Sequence, residues 1–257
     1  AEGFDNIDKA KKELNNFKFP VIIKPVDLTG GKGISTASNI YDAQKAIQNA
    51  FNISRAKRIV IEEFLTGSRH GMTTIIRKGK VVFSFTDNVH YYLNQYMVSA
   101  ASTPSIIPLS AKKSLIVEAE KIATLLKLMD GILHIQFILK NNEAVIIEIC
   151  RRAPGDLYIR FVELATGVPY PEWIVKASAG LDISDINQVE INGYYTRHCV
   201  MSDCPGKVKD VVFDKFIESK IIDKMMWWKK GDIIENILIQ KLGIIFVRFE
   251  SMNEMLE

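Results

Sequence analysis

The sequence predicts an α+β protein with a β-rich C-terminal part. Two antiparallel hairpins, over residues 72–85 and 132–149, are each followed by helical segments instead of alternating with them strand by strand. Between the hairpins, residues 111–129 show the apolar spacing of a long amphipathic helix. From about residue 188 the chain changes to short strands, which favours a compact β-rich cap.

Helical spacing, alternation and turn residues place the other elements. In chain order they predict helix 6–16, strand 21–25, helix 42–52, strand 58–65, hairpin strands 72–76 and 80–85, helix 111–129, hairpin strands 132–139 and 144–149, helices 157–166 and 171–179, and strands 194–201, 207–212 and 243–249. Gly167 and Gly180 follow two of the helices, where a left-handed cap suits glycine. Residues 88–110 are predicted to be irregular.

The composition limits the possible functions. The chain has 257 residues, 47% hydrophobic and 25% charged, enough for one large domain or two smaller ones. A net charge of +3 is too small to indicate a nucleic-acid partner. No apolar run approaches the roughly 20 residues that span a bilayer, so no membrane partner is expected. Three cysteines without CxxC spacing indicate a reduced, cytoplasmic protein.

The segment FPVIIKPVDLTGGKGIS, residues 19–35, joins a buried strand to a flexible loop. Gly30, Gly31 and Gly33 let the backbone turn its N–H groups toward an anion. Lys24 and Lys32 are compact positive charges that fit a polyphosphate. The loop has neither Walker A nor GxGxxG spacing, so a hairpin turn with surface lysines is the alternative.

The next apolar strand ends in Glu62, Glu63, Phe64 and Leu65. Backbone groups there could pair with an adenine edge, and a carboxylate could accept a hydrogen bond from its amino group. The alternative is an ordinary strand end with solvated acids. His70 follows in a loop, where a histidine is usually a neutral surface residue.

Gln136 and Glu148 lie on the two strands of the second hairpin. They share index parity with His134 and Ile146, and a tight hairpin would place both on one face. Oxygen ligands from adjacent strands suit Mg²⁺, which takes one or two carboxylates plus substrate phosphates. Glu148 lies within an apolar run, where an unpaired charge would be costly, so it is the strongest functional candidate. Four residues later, Arg152 could neutralise charge on a transferring phosphoryl group.

The order of these segments resembles the ATP-grasp superfamily. The resemblance rests on FPVIIKPVDLTGGKGIS, IVIEEFLTGSRHG, the long helix, HIQFILKNNEAVIIEICRRAPG and FVELATGVPYPEWIVKASAG, and it covers most of residues 17–180. It is nearest to the branch that contains biotin carboxylase, carbamoyl-phosphate synthetase and the amino-acid and dipeptide ligases. It implies two α+β lobes, residues 1–66 and 67–187, with a nucleotide between them, and a β-rich cap over 188–257.

The resemblance also implies a role for each candidate residue. It implies phosphate binding by Lys24, Lys32 and the loop glycines Gly30, Gly31 and Gly33, base binding by Glu62, Glu63, Phe64 and Leu65, nucleotide contact by His70, Mg²⁺ or Mn²⁺ coordination by Gln136 and Glu148, and stabilisation of the reacting oxygens by Arg152. Lys24 and Arg152 would be the catalytic residues. Arg160 and Arg197 are further candidates for binding a substrate carboxylate.

The chain departs from the family pattern after the hinge, where Gly-x-Glu is replaced by GSR at residues 67–69, and at the metal site. The first metal position is usually Glu, and Gln136 keeps the carbonyl oxygen without the charge. Cys150 stands where Asn is common, and a thiol is a poor partner for a hard cation. Family members also carry a preceding α/β domain. Because the chain starts at Ala1 beside a helical segment, we interpret it as a fragment whose missing N-terminal domain is a partner, and a homodimer is possible.

The function that the resemblance implies is an ATP- and Mg²⁺-dependent ligase that works through an acyl phosphate. It would join a small-molecule carboxylate to an amine, with thiol ligation or carboxylation as variants. The alternative is a non-catalytic or regulatory nucleotide-binding module with a degenerate metal site. Nucleic-acid binding through residues 227–230, WWKK, is less favoured because this aromatic and basic patch is short.

Overall fold

The computed structural model describes residues 1–256, and the chain divides into two compact units. The first unit comprises residues 1–66 together with 94–98. The second comprises residues 67–93 and everything from residue 99 onward. The predicted α+β class is confirmed, because both units combine antiparallel strands with helices.

The first unit is a four-stranded antiparallel sheet covered by helices. Its elements are β1 (Glu2–Phe4), α1 (Ile7–Glu13), a 3₁₀ turn (Leu14–Asn16), β2 (Val21–Pro25), β3 (Ser35–Ala37), α2 (Ile40–Ile53) and β4 (Ile59–Glu63). The strand order is β1-β4-β2-β3. Helix α2 begins at Ile40, two residues before its predicted start, because the Asn39 side chain caps the first turn by accepting a hydrogen bond from the Asp42 N–H.

Alternation along β2 and β4 gives this sheet two different faces. Val21, Ile23 and Ile61 are fully buried in a core that they share with the helices. Lys24 follows Ile23 and Glu62 follows Ile61, so their side chains project from the opposite, partly exposed face.

The second unit is built on an eight-stranded sheet. Its elements are β5 (Ser68–Arg77), β6 (Lys80–Tyr91), β7 (Val98–Thr103), α3 (Leu109–Leu125), β8 (Gly131–Lys140), β9 (Glu143–Cys150), α4 (Tyr158–Thr166), α5 (Tyr170–Ser178), β10 (Tyr194–Val200), β11 (Gly206–Lys207), α6 (Lys215–Glu218), β12 (Ile221–Met226), β13 (Ile233–Ile234), β14 (Gly243–Phe249) and α7 (Met252–Leu256). The strand order is β12-β14-β10-β7-β6-β5-β8-β9, and β11 pairs separately with β13.

Helices cover this sheet on both faces. Helix α3 packs Leu115 and Ala119 against Met72 and Phe137 on one face. Helices α4 and α5 pack Phe161, among others, into a core on the opposite face. Strands β5 and β8 are buried along most of their length because both of their faces are covered. Within residues 1–256, no helix has the length and apolar character needed to cross a bilayer.

Two predictions about strands are wrong. Residues 88–110 are not wholly irregular, since β6 continues to Tyr91 and β7 occupies Val98–Thr103. The small residues of β7 form a strand because Thr103 pairs with Tyr195 of β10, far away in the chain. The strand predicted over 207–212 is reduced to the two residues of β11, because the Val208 N–H and carbonyl bond to the loop at 231–232.

Two of the three strands predicted for a C-terminal cap, β10 and β14, join the main sheet. Together with β12, which was not predicted, they extend the same sheet that contains β5 to β9. The division into domains at residues 66 and 187 stays a prediction.

Candidate functional site

Lys24 and Glu62 form an ion pair on the partly exposed face of the first unit. In the register of β2 and β4, Glu62 lies opposite Ile22, and Lys24 is therefore the diagonal neighbour of Glu62. The Lys24 Nζ atom is 2.7 Å from Glu62 Oε2, and the two side chains are 21% and 23% exposed. The lysine expected to contact phosphates is therefore half-buried and already beside a carboxylate.

The glycine-rich loop connects β2 to β3. Gly30, Gly31 and Gly33 all have left-handed backbone, with φ of 67°, 74° and 73°. A Cβ atom added to Gly33 would lie 2.0 Å from Ile53 Cδ1 and 2.9 Å from Pro25 Cγ. Lys32, between these glycines, is exposed. Both the left-handed backbone and the close approach of Ile53 and Pro25 therefore favour glycine at position 33.

Asp27 anchors the start of this loop, and sequence reasoning missed it. Its carboxylate accepts hydrogen bonds from the Ala56 N–H at 2.7 Å and the Ser54 hydroxyl at 2.9 Å. The bond from the Ala56 N–H contributes most to holding the pKa of Asp27 below its ordinary value. Asp27 is a single acidic residue in a loop, and no local pattern in the sequence indicates this role.

The predicted hinge, residues 62–65, begins with the last two residues of β4 in the first unit. The Phe64 N–H donates to the Pro20 carbonyl at 2.9 Å, so this backbone group is already engaged. Glu63 is exposed, whereas Phe64 and Leu65 are half-buried. Base binding by Glu62, Glu63, Phe64 and Leu65 stays a prediction.

In the second unit, Gln136 and Glu148 lie directly opposite each other on β8 and β9. Residues opposite in an antiparallel pair project from the same face, so an amide oxygen and a carboxylate stand side by side. The same pairing places His134 opposite Cys150. Ile146 does not share this face as expected, because it pairs with Phe137, whose side chain packs toward α3.

Asp87 extends this polar row across the sheet, and sequence reasoning also missed it. It pairs with Gly71, and Gly71 pairs with Gln136, so Asp87 and Gln136 share a face. A Cβ atom on Gly71 would lie only 2.4 Å from Asp87 Oδ1, which shows that the carboxyl group leans over the glycine. Asp87 is 1% exposed and accepts a hydrogen bond from the Tyr158 hydroxyl at 3.0 Å.

Burial shifts the pKa values of several groups on this face. It raises the pKa of Asp87 to about 7, although the Tyr158 hydroxyl and Arg197 oppose the shift. Burial also lowers the pKa of His134 to about 4, and the nearby Arg152 acts in the same direction. The pKa of Tyr91 is raised by burial, and the carboxylates of Asp87 and Glu148 contribute to that shift.

His70 is more enclosed than a surface-loop histidine. It is 1% exposed, its ring stacks on Phe137 at 5.4 Å, and its Nε2 atom lies 2.7 Å from the Ser68 hydroxyl. Burial lowers its pKa. Its Nδ1 atom is buried without a hydrogen-bond partner among the described residues. Contact with a nucleotide stays a prediction.

The arginines that follow β9 have different surroundings. Arg152 is exposed, and its Nη1 atom donates to the Ala153 carbonyl at 3.0 Å. Arg151 donates to the carbonyls of Ile132 and Met129, which is a structural role. Arg160 is engaged with two carboxylates, Asp223 Oδ2 at 2.8 Å and Glu163 Oε2 at 2.7 Å. A substrate carboxylate would therefore have to compete with both at Arg160.

Arg197 projects from β10 into a buried cluster. Its Nη1 atom donates to the Asp156 carbonyl at 3.0 Å, and Lys241 Nζ lies 2.5 Å from Asp156 Oδ2. Neither Asp156 nor Lys241 was predicted. They are separated by 85 residues in the chain, and no local pattern links them.

The donor set at Gln136 and Glu148 fits Mg²⁺. The two side chains supply an amide oxygen and a carboxylate from adjacent strands, which are ligands that Mg²⁺ accepts. The part of the chain that the structure describes holds no cluster of three or more His, Cys, Asp or Glu side chains suited to a metal. Water and substrate phosphates would therefore have to complete the coordination.

Comparisons with known proteins identify this arrangement as an ATP-grasp protein. Within that class, the chain belongs to the family described as carbamoyl-phosphate synthase L chain, ATP binding domain, which matches residues 1–186. The resemblance drawn from the sequence is confirmed.

Individual relatives are distant and longer than this chain. The carbamoyl phosphate synthase large chain, C-terminal section, of Aquifex aeolicus (strain VF5) is 24% identical over 184 residues, which are 70% of this chain and 33% of that protein. The chain thus spans about one third of that relative's length.

Two solved structures show the same fold. The L-amino acid ligase from Bacillus licheniformis has a TM-score of 0.77 at 15% identity, over 98% of this chain and 63% of that one. The biotin carboxylase domain dimer of 2-oxoglutarate carboxylase from Hydrogenobacter thermophilus, in complex with MgADP, ADP and bicarbonate, has a TM-score of 0.73 at 17% identity. That match covers 95% of this chain and 56% of the other.

Proposed function

We propose that this chain binds ATP with Mg²⁺ and serves a ligase that activates a carboxylate and joins it to an amine. The observation that carries the proposal is the pairing of Gln136 with Glu148, followed four residues later by the exposed Arg152. Membership of an ATP-binding family supports the nucleotide. The carboxylase in complex with MgADP supports the metal, and Mn²⁺ could replace it.

Each unit contributes its own residues to this proposal. In the first unit, Lys24, Lys32 and the glycine loop would bind phosphates, and Glu62 to Leu65 would bind the base. In the second unit, Gln136 and Glu148 would hold Mg²⁺, which supplies charge neutralisation on the phosphates when bound. Arg152 would stabilise negative charge on the reacting oxygens.

The proposed chemistry has two displacements. A carboxylate oxygen attacks the γ-phosphorus of ATP, and the bond to the leaving ADP oxygen breaks, which gives an acyl phosphate. An amine then attacks the acyl carbon, phosphate leaves, and the amine nitrogen loses a proton. The contribution of the protein is to position the reactants and neutralise charge, which is what the lysine, arginine and oxygen ligands can do.

The test combines nucleotide binding with turnover. ADP binding to the full chain is titrated by calorimetry with and without Mg²⁺, and ADP release is measured against a panel of small carboxylates and amines. We expect Glu148→Ala to remove most of the Mg²⁺-dependent gain in affinity, about tenfold or more. Glu143→Ala is the matched control, because Glu143 is an exposed acid on the same strand. Equal behaviour of the two variants would overturn the metal assignment.

A second candidate is a nucleotide-binding module without turnover. It is favoured by two substitutions in the family pattern, the uncharged Gln136 and the thiol of Cys150, which weaken a site for a hard cation. The module predicts ADP binding without ADP release for any carboxylate and amine of the panel. The match covers only 33% of the Aquifex aeolicus relative, so the substrates and further domains of a complete ligase are not assigned by either candidate.

A further inference from the structure

The loop that carries Arg152 ends in two residues with unusual backbone. Asp156 and Leu157 have φ of 58° and 54°, in the left-handed region. Leu157 is the residue from which α4 starts, and no side chain caps that helix. Since neither residue is glycine, this conformation costs free energy and persists only where surrounding groups hold it.

Two buried cations hold Asp156. Lys241 Nζ is 2.5 Å from Asp156 Oδ2, while Arg197 Nη1 donates to the Asp156 carbonyl at 3.0 Å and lies 3.9 Å from its carboxylate. The side chains of Lys241 and Arg197 are only 12% and 3% exposed. Their charges are largely removed from water, so they depend on Asp156 for compensation, and Asp156 is tightly held in return.

A third contact fixes Tyr158, the first residue of α4. The Tyr158 hydroxyl donates to the buried carboxyl group of Asp87 at 3.0 Å. Residues 156–158 are therefore held from three directions: from β6 through Asp87, from β10 through Arg197, and from the segment before β14 through Lys241. The Arg152 side chain, four residues before Asp156, donates to the carbonyl of the adjacent Ala153, which is a contact within the loop and not an anchor to another element.

We propose that Lys241 and Arg197 are positioning residues that hold Asp156 and thereby set the conformation of the loop that presents Arg152. This inference rests on the proposed ligase function for the role of Arg152. It gives Arg197 a structural task in place of direct substrate binding. It also assigns a role to Lys241, which lies beyond the family match at residues 1–186.

The first test measures loop conformation without any need for turnover. Hydrogen exchange of the amides of residues 155–161 is compared in the full chain and in Lys241→Met, Lys241→Arg and Lys220→Met. Lys220 is the matched control, since it also makes a short ion pair, 2.7 Å from Glu254, and its side chain is 15% exposed. We expect exchange about tenfold faster in Lys241→Met only, with Lys241→Arg close to the native protein.

If Lys241→Met does not fold, Lys241→Gln is used for the same comparison because it keeps a polar group near Asp156. Exchange of residues 155–161 that is the same in the Lys241 variant and in Lys220→Met would overturn the proposal.

The second test separates positioning from binding. With any carboxylate and amine that supports ADP release, we expect Lys241→Met to lower kcat about tenfold while the KM for ATP changes less than about twofold. Lys241→Arg should restore most of kcat. A change confined to KM would overturn the positioning role. Absence of ADP release in the native protein would count against the proposed function alone, because the exchange result stands without it.

Discussion

Gln136 lies opposite Glu148 because a β-bulge separates this pair from the turn of the same hairpin. At the turn, Lys140 pairs with Glu143, and continuing that register along the strands would pair Gln136 with Ile147. The register shifts between Gln136 and Phe137, so Glu148 faces Gln136 instead. Bulges are common beside functional sites for this reason, since they redirect a side chain to the other face of a sheet.

The buried carboxyl group of Asp87 should make stability depend on pH. Its pKa is raised from 3.8 to about 7, so between these values the folded protein keeps a proton that the unfolded chain releases. The contribution of Asp87 to the free energy of unfolding is therefore fully present below about pH 4 and is lost as the pH rises to about 7. Asp87→Asn, which mimics the protonated form, should lack this loss.

The measurement is chemical denaturation of the native protein and Asp87→Asn from pH 4 to 8. Because one pKa unit corresponds to about 1.4 kcal/mol, the difference in unfolding free energy between the two proteins should change by about 4 kcal/mol across the window. His134 and His198, with pKa values lowered to about 4, act in the opposite direction but are common to both proteins. A difference that does not vary with pH would show that Asp87 is ionised throughout.

Gly33→Ala should destabilise the first unit more than Gly30→Ala. Both substitutions force alanine into left-handed backbone, at a cost of about 1 kcal/mol. Only at Gly33 would the added methyl group collide with Ile53 and Pro25, whereas nothing lies within 4 Å of a Cβ on Gly30. We expect an additional cost of about 1–3 kcal/mol in urea denaturation. Equal midpoints for the two variants would contradict the packing of this loop.

Lys24→Met should weaken binding of nucleotides through their phosphates only. Loss of the positive charge should reduce ADP affinity about tenfold or more and leave adenosine affinity unchanged, as measured by calorimetry. Lys80→Met is the control, because Lys80 also makes a 2.7 Å ion pair with a glutamate but lies on the surface of the second unit. The assignment of Lys24 fails if ADP and adenosine affinities fall together or not at all.

Tyr158→Phe should destabilise the protein in a pH-dependent way that Tyr170→Phe does not share. Tyr158 donates to Asp87 at 3.0 Å, whereas the Tyr170 hydroxyl meets the neutral Thr73 hydroxyl at 2.7 Å. Hydrogen bonds to a charged acceptor are stronger, so the cost of Tyr158→Phe should grow by about 1 kcal/mol as Asp87 ionises above pH 7. Denaturation at pH 5 and pH 8 checks this, with a constant cost expected for Tyr170→Phe.

Local patterns predict the parts of the fold that local interactions determine. Helix α2 starts close to its predicted position because the short polar side chain of Asn39 can bond a nearby N–H without help from the rest of the protein. The turn of the second hairpin is located correctly, because Asn141 and Asn142 tolerate the left-handed backbone found there. Strand β7 was missed since its pairing partner β10 lies about a hundred residues away.

The candidate site shows the same division. Lys24, the glycine loop, Gln136 and Glu148 were found from residue types and local patterns, and the family resemblance then implied their roles. The prediction that Gln136 and Glu148 share a face rested on index parity, which the register at the turn does not support. The bulge between Gln136 and Phe137 is what places the two side chains on one face. Asp87, Asp156 and Lys241 belong to no motif, and their roles arise from tertiary contacts that a single sequence does not reveal.

The shared sheet determines how this polypeptide can be shortened. Strands β10 and β14 complete one side of the sheet, yet both follow residue 186, where the family match ends. A polypeptide truncated there would leave β7 without its partners at Tyr195 to His198 and expose a bare strand edge that invites self-association. For recombinant expression or domain grafting, the shortest fragment that keeps these strands paired therefore extends through β14.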